Sequence, residues 1–407
     1  MSFQQGLSGL NSASKSLDVI GNNISNASTI GFKQSQAQFS DVFANTLSGS
    51  GGTQVGIGNK LSTVAQLFSQ GNISVTNNPL DIAVNGQGFF RMSDAGAISY
   101  SRNGQFQIDK SGYIVNGDGL RLTGYLANAS GTLNTASPTD LLIPSNDLTP
   151  AATSGVDAVV NVDSRATIKS AAAFLLSDPT TYNNSTSVAI YDSLGNAHTL
   201  SMYFVKTAAN TWQAFAANDG VQIGASSVGT LTFRSDGAID TTATTLPFSL
   251  SVPVTTGATT PMTTTLDFTG STQFGSGFGV NSLSQDGYTS GRLSGFSVGG
   301  DGVILGRYTN GQSATLGQVV LANFNNPQGL QPMGDNGWAE TSTSGAPLVG
   351  APNTGSLGAL QSAAVEDSNV DLTAELVNMI TAQRVYQANA QSIKTQDAVL
   401  QTLVNLR

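Results

Sequence analysis

The chain has 407 residues, enough for two or three domains with cores of their own, since domains usually run about 100–200 residues. A formal net charge of −9 and no basic stretch argue against a nucleic-acid partner, because that association is driven by Lys and Arg displacing counterions from phosphates. The absence of Cys removes disulfides, thiolate catalysis and zinc–thiolate sites together, and no apolar run reaches the 18 residues that a membrane-spanning helix needs.

In chain order, the first element is a helix predicted over residues 1–24. Phe3, Leu10, Leu17 and Ile24 recur every seven residues, with Leu7, Ala13 and Ile20 on the same side, which describes a narrow apolar seam. The opening MSFQQGLSGLNSASKS lacks the basic stretch and apolar run of a secretory signal, so no cleaved signal peptide is expected. The helix runs into GNNISNASTIGFK, residues 21–33. Here Gly21, Asn22 and Asn23 are expected to stop the helix, because Gly and Asn tolerate the left-handed conformation that closes one. Asn26, Thr29, Gly31 and Phe32 then form a turn-rich corner that opens a connector over residues 25–70.

The 46 Gly, with abundant Ser, Thr, Asn and Asp, predict short strands joined by turns through most of the remainder. GQFQIDKSGYIV (104–115) and GFSVGGDGVIL (295–305) align as two similar hairpins, and GDGLRLTGY (117–125) echoes GDGVILGRY (300–308). Residues 71–145 and 285–367 are therefore assigned to one β-domain. The enclosed stretch 146–284 has no Glu, four basic residues and a Thr-rich run with β-branched alternation, and reads as an inserted outer β-domain.

The C-terminal segment, 368–407, is predicted as a second helix. Asp371 is placed to cap it, Glu375 lies in its first turn where the helix dipole favours an anion, and no Gly or Pro follows. The seam of Leu376, Met379, Tyr386, Ile393 and Leu400, flanked by Leu372, Ala390, Leu403 and Val404, runs along about 50 Å of helix at 1.5 Å per residue. Two such helices at opposite ends of one chain invite pairing. Their side chains bury too little surface to order sixty residues unaided, so full ordering is expected only against further copies of the chain. The predicted fold is thus mainly β with α-helical termini: paired coiled-coil-like helices and two nested β-domains.

Chemistry is sparse. His198, the single histidine, shares an alternating strand pattern with Leu200, Met202 and Phe204 and reads as a strand residue rather than a general base, since no nucleophile elbow accompanies it. The Asp-rich turns at 109–112, 116–119 and 299–302 lack the terminal Glu of a calcium loop. No phosphate-binding glycine motif opens a helix. Trp212 and Trp338 read as core residues rather than a sugar platform. No catalytic residue, metal site or cofactor is assigned.

LDVIGNNISNASTIGFKQSQAQF (17–39) and SNVDLTAELVNMITAQRVYQANAQSIKTQDAVLQTLVNLR (368–407) resemble the paired terminal signatures of the rod, hook and hook-associated proteins of the bacterial flagellum. Three inner segments, NPLDIAVNGQGFFRM (78–92) with YSRNGQFQIDKSGYIVNGDGLRLTGY (100–125), YDSLGNAHTLSMYFVK (191–206) and GQVVLANFNNPQGLQPMGDNGWAETSTSG (317–345), narrow the resemblance to the hook-protein family. It implies a subunit of a curved hollow tube that passes torque from rod to filament as a universal joint, with terminal helices lining the inside and the inserted domain outermost. It also implies copies of itself, a distal rod protein, a hook cap protein, a hook–filament junction protein and the flagellar type III export apparatus as partners, and an extracellular location. The distal rod protein is the nearest competing member. A secreted carbohydrate-binding or adhesive β-protein would explain the Thr-rich middle but not the terminal heptads, and a secreted hydrolase would have to be built on His198.

Overall fold

The computed structural model describes residues 2–42, 56–128, 131–144 and 146–405, with the side chains of all of these except 2 and 403–405. Residues 43–55 of the expected connector, and the side chains of Leu403 and Val404, lie outside the described residues. The fold is mainly β with an α-helix at each end, and the chain divides into two compact units: Met1–Ser145 with Gly295–Gly306 and Ser313–Arg407, and Asn146–Ser294 with Arg307–Gln312.

In the first unit, α1 spans Ser2–Ser25 and α2 spans Leu372–Asn405. Asp371 caps α2 through its carboxylate, which accepts the Thr373 and Ala374 amides at 2.9 and 3.1 Å. The uninterrupted helix follows from the lack of any Gly or Pro beyond that cap.

The end of α1 departs from the sequence expectation. Gly21, Asn22 and Asn23 lie inside the helix and do not stop it. The carbonyls they leave near the end are satisfied locally, so the last turn persists: Ser25 Oγ donates to Gly21 O at 2.9 Å, and Asn26 Nδ2 donates to Asn22 O at 3.0 Å. The positive-φ glycine comes ten residues later, at Gly31, with φ 72°.

After the corner, β1 (Ser35–Val42) and β2 (Gly58–Gln66) form an antiparallel ribbon beside α1. The main sheet of this unit runs in the order Ser313–Val319, Arg121–Leu126, Phe89–Asp94, Ala97–Ser101, Gly337–Ala339, Gln331–Gly334. An aromatic cluster sits on it: Phe68 and Trp338, Phe89 and Trp338, and Tyr100 and Phe324 meet edge to face with centroids 4.8 to 5.6 Å apart.

The internal echo is structural. In the first turn, Asp109 N–H donates to Tyr113 O and Gly112 N–H to Asp109 O; in the second, Gly299 N–H donates to Val303 O and Gly302 N–H to Gly299 O. Gly112 and Gly302 both take positive φ, and each offers its carbonyl to a later backbone amide, that of Ile143 and of Val319.

The second unit is a sandwich. One sheet is built from Phe248–Val252, Met262–Asp267, Gly155–Asp163, Thr272–Phe274 and Gly279–Gln285; the other from Asn184–Tyr191, Ala197–Ala208, Thr211–Asn218, Val221–Gln222 and Gly229–Thr232. Their inner faces share one apolar core, to which alternate residues contribute: Leu200, Met202 and Phe204 from one sheet, Phe248, Leu250 and Val252 from the other. Trp212, fully buried, donates its indole N–H to Gln273 Oε1 across the core at 2.7 Å.

Candidate functional site

Where α1 meets α2, small residues set the spacing, beside Ala13, Ile20 and Ile393 of the expected apolar seam. A Cβ added to Gly6 would stand 2.9 Å from Ile393 Cγ1, and one added to Gly9 would stand 2.8 Å from the Asn389 carboxamide. Further along, Ala13, Ser16 and Ile20 of α1 face Ala382, Val385 and Asn389 of α2 across a groove of about 440 Å³. The positions 6, 9, 13, 16, 20 and 23 advance by three and four, as one face of a helix must.

The nine seam residues are accordingly split. Ile393 packs on α1 at Gly6. Leu10, Leu17, Ile24 and Met379 are half-buried, and Phe3, Leu376, Tyr386 and Leu400 are exposed. Leu372, Val377, Ile380 and Val399 are also exposed, so α2 carries a long apolar surface that the described residues leave uncovered.

At the base of the helices lies a polar junction. Asn23 on α1 accepts the Ser35 amide at 2.9 Å and donates to Ser35 O at 2.8 Å, which binds the end of α1 to the start of β1. The same carboxamide donates to Glu375 Oε2 at 3.3 Å, while Gln34 Nε2 donates to Glu375 Oε1 at 2.8 Å. Asn369 adds a third tie, accepting the Gln34 amide at 2.7 Å and donating to Leu67 O at 2.8 Å.

Beneath it is a fully buried ion cluster. Glu366, with no exposed side-chain surface, accepts Lys33 Nζ at 2.7 Å and the Gly71 amide at 2.9 Å on one oxygen, and Arg102 Nη1 at 2.9 Å on the other. Its backbone carbonyl accepts the Gly31 amide at 2.8 Å. Burial pushes the Lys33 ammonium and the Arg102 guanidinium down from their ordinary values, and the Glu366 carboxylate opposes that in both. Two cations around one anion leave a net positive site out of water, stabilised further by Ser69 O on Lys33 and Gly86 O on Arg102.

The connector residues are drawn into this junction. Gly31 is buried so close to the neighbouring chain that a Cβ would stand 2.6 Å from the Asn103 backbone nitrogen. Asn26 and Thr29 form the turn expected of them: the Thr29 amide donates to Asn26 O at 3.0 Å and its hydroxyl to Asn26 Oδ1 at 3.2 Å. Phe32 lines a cavity with Asn22, Lys33 and Trp338. Sequence reading missed Lys33, Arg102 and Glu366. The one signal was rarity, since Glu366 and Glu375 are two of only three Glu in the chain.

The groups weighed for chemistry are occupied otherwise. Asp109 Oδ1 accepts the Ser111 and Tyr113 amides, and Asp301 Oδ1 the Val303 amide, as turn carboxylates do. Trp212 and Trp338 are both buried and offer no stacking platform.

Family models match along the chain: flagella basal body rod protein at 3–33, flagellar hook protein FlgE/F/G D1 domain at 83–168, flagellar basal body protein FlaE D2 domain at 161–288, and flagellar basal body rod FlgEFG protein C-terminal at 361–406. The flagellar hook protein FlgE of Escherichia coli (strain K12) is 43% identical over all of both chains. The chain belongs to the flagellar hook protein FlgE family. Hook proteins of Salmonella typhimurium, at 42% identity over all of both chains, and Borreliella burgdorferi, at 34% over all of this chain and 99% of its own, are further relatives. The crystal structure of Helicobacter pylori hook protein FlgE2 shares the fold, with a TM-score of 0.53 at 16% identity over 71% of this chain and 99% of that one. The hook-protein relatives match over the whole chain, which favours the hook protein over the distal rod protein. This chain is a structural subunit of the flagellar hook.

Proposed function

We propose that this hook subunit assembles with copies of itself into a curved hollow tube that acts as a universal joint, passing torque from rod to filament. The observation that carries the reading is the apolar surface of α2 that the described residues leave uncovered, together with the exposed Phe3 and Leu7 of α1. Exposed apolar patches on an otherwise well-packed chain mark association surfaces. In this reading the helices, 1–24 and 368–407, form the inner layer. Residues 71–145 and 285–367 form the β-domain next to it, and 146–284 the outermost domain, with the junction around Glu366 and Glu375 holding the 25–70 connector in place.

The helix seams carry axial strength, and the Ser-, Thr- and Asn-rich outer surface exchanges weak polar contacts with water as subunits pass from the inner to the outer side of the bend. The subunit acts as a structural element and not as an enzyme. It leaves the cell through the flagellar type III export apparatus without loss of a signal peptide and joins the extracellular hook. There its neighbours are the distal rod protein, the hook cap protein and the hook–filament junction protein.

Sedimentation of purified Leu376→Asp and Leu400→Asp chains tests the seam. A buried charge at a shared apolar contact is costly, so both variants are expected to remain as folded monomers at concentrations where the unaltered chain forms polymer. Polymer yield equal to that of the unaltered chain would overturn the assignment.

A further inference from the structure

Outside the helices and their junction, the sandwich brings one histidine and two carboxylates together. His198 is buried at the end of the strand Ala197–Ala208, with a carboxylate on each side of its ring. Nδ1 lies 2.7 Å from Asp219 Oδ2, and Nε2 lies 3.3 Å from Asp192 Oδ2.

The two carboxylates differ. Asp192, in the turn after Asn184–Tyr191, is fully buried and accepts the Leu194 and Asn196 amides on Oδ1 at 2.9 Å. Its Oδ2 also accepts Thr256 Oγ1 at 2.5 Å, from the loop between Phe248–Val252 and Met262–Asp267 in the opposite sheet. Asp219 starts the tight Asp219–Gly220 turn at positive φ, is 49% exposed, and accepts the Thr199 amide on Oδ1 at 2.8 Å. Among the described residues these two carboxylates are the charges that act on the ring: Tyr191 on the paired strand and Tyr203 on its own make no bond to it, Lys206 on its own strand is turned to Ser164 O and Ala166 O, and loop 253–261 and the Val221–Gln222 strand carry no charged residue.

The hydrogen-bond inventory then fixes the protonation state. An ionised carboxylate only accepts, and a neutral imidazole has a single N–H. Both contacts are satisfied together only by the imidazolium.

We propose that His198 is a proton-operated clasp at this end of the sandwich: as an imidazolium it ties the 192–196 turn to the 219–220 turn, and on losing its proton it releases Asp219. Asp219 is the side that lets go because it is half-exposed and water can replace its bond, whereas Asp192 is enclosed by four other donor groups and keeps the remaining N–H on Nε2. Burial alone would lower the His198 midpoint, but the bonds to Asp219 and Asp192 outweigh it and raise the midpoint above the ordinary value. The clasp's contribution is therefore complete below about pH 6.5, where a free imidazole titrates, and is lost as pH rises through the higher folded midpoint.

With a single histidine in the chain, a histidine-labelled sample gives one ring signal in NMR. The expected result is a midpoint above about 6.5 with both ring nitrogens protonated below it. Above it, amide-exchange protection of Thr199 and Asp219, corrected for base catalysis, should fall about ten-fold, the effect of one pK unit of differential proton binding. Asp219→Asn should lower the midpoint by about one unit while leaving the ring signal readable, and His198→Gln should abolish the pH step in protection. A midpoint at or below that of free imidazole, a single ring N–H at pH 6, an Asp219→Asn midpoint unchanged, or protection that ignores the titration would each overturn the clasp.

Discussion

Gly9 of α1 lies against Asn389 of α2 so closely that a Cβ on the glycine would stand 2.8 Å from the carboxamide. Gly6 meets Ile393 in the same way at 2.9 Å, so two glycines a helical turn apart set how near the helices come.

A Gly6→Val, Gly9→Val chain should force the helices apart. Overpacking of this kind costs about 1–3 kcal/mol, partly offset by the better helix propensity of the new residues. Hydrogen exchange along residues 374–396 of the unassembled protein is the check, with faster exchange expected there and no change in the sandwich at 184–218. Equal exchange in both chains would mean that the helices do not depend on this contact.

The two glycines of the connector motif should respond with opposite signs. Gly21 is helical with nothing within 4 Å of a new Cβ, so Gly21→Ala should stabilise the end of α1 by about 0.5–1 kcal/mol. Gly31 has φ 72° and faces the Asn103 backbone, so Gly31→Ala should cost about 1–3 kcal/mol from the backbone conformation alone, and more because Asn103 must shift. Denaturant titration of the unassembled variants separates the two; the same sign in both would refute the placement of the corner at Gly31.

Removing the Glu366 carboxylate should be among the most damaging single changes in the first unit. Glu366→Ala leaves Lys33 and Arg102 as buried cations with no counter-charge, a loss of about 3–5 kcal/mol. Glu340→Ala, which deletes a partner of the Tyr100 hydroxyl at 3.0 Å, is the comparison and should cost about 1–2 kcal/mol. Similar losses in the two variants would argue that the ion cluster adds nothing beyond an ordinary hydrogen bond.

Residues close together in sequence were read well, and residues brought together from afar were not. Seven-residue spacing located both helices, the Asp371 cap was visible in its own turn, and the paired Gly-containing turns at 112 and 302 announced equivalent hairpins. The stop expected at Gly21 failed because composition alone does not show that Ser25 and Asn26 bond back onto the last helical carbonyls. The face of α1 that meets α2 was legible only in part: apolar periodicity marks Ala13 and Ile20, which lie at the contact, but also the exposed Phe3, and it passes over Gly6 and Gly9, where the helices come closest. Glu366 joins Lys33 from 333 positions away and Arg102 from 264, and no local pattern encodes such a meeting. His198 was placed correctly on its strand, but its two carboxylates come from separate turns.

Assembly of this hook subunit into a curved tube is proposed to run through the apolar surface of α2 that the described residues leave uncovered. Negative-stain electron microscopy of the purified full chain at high concentration, beside the Leu376→Asp, Leu400→Asp double variant, tests it most directly. Curved hollow tubes are expected from the first and dispersed, folded particles from the second. Tubes of the same form and number from the double variant, or no tubes from the unaltered chain at any concentration, would contradict it.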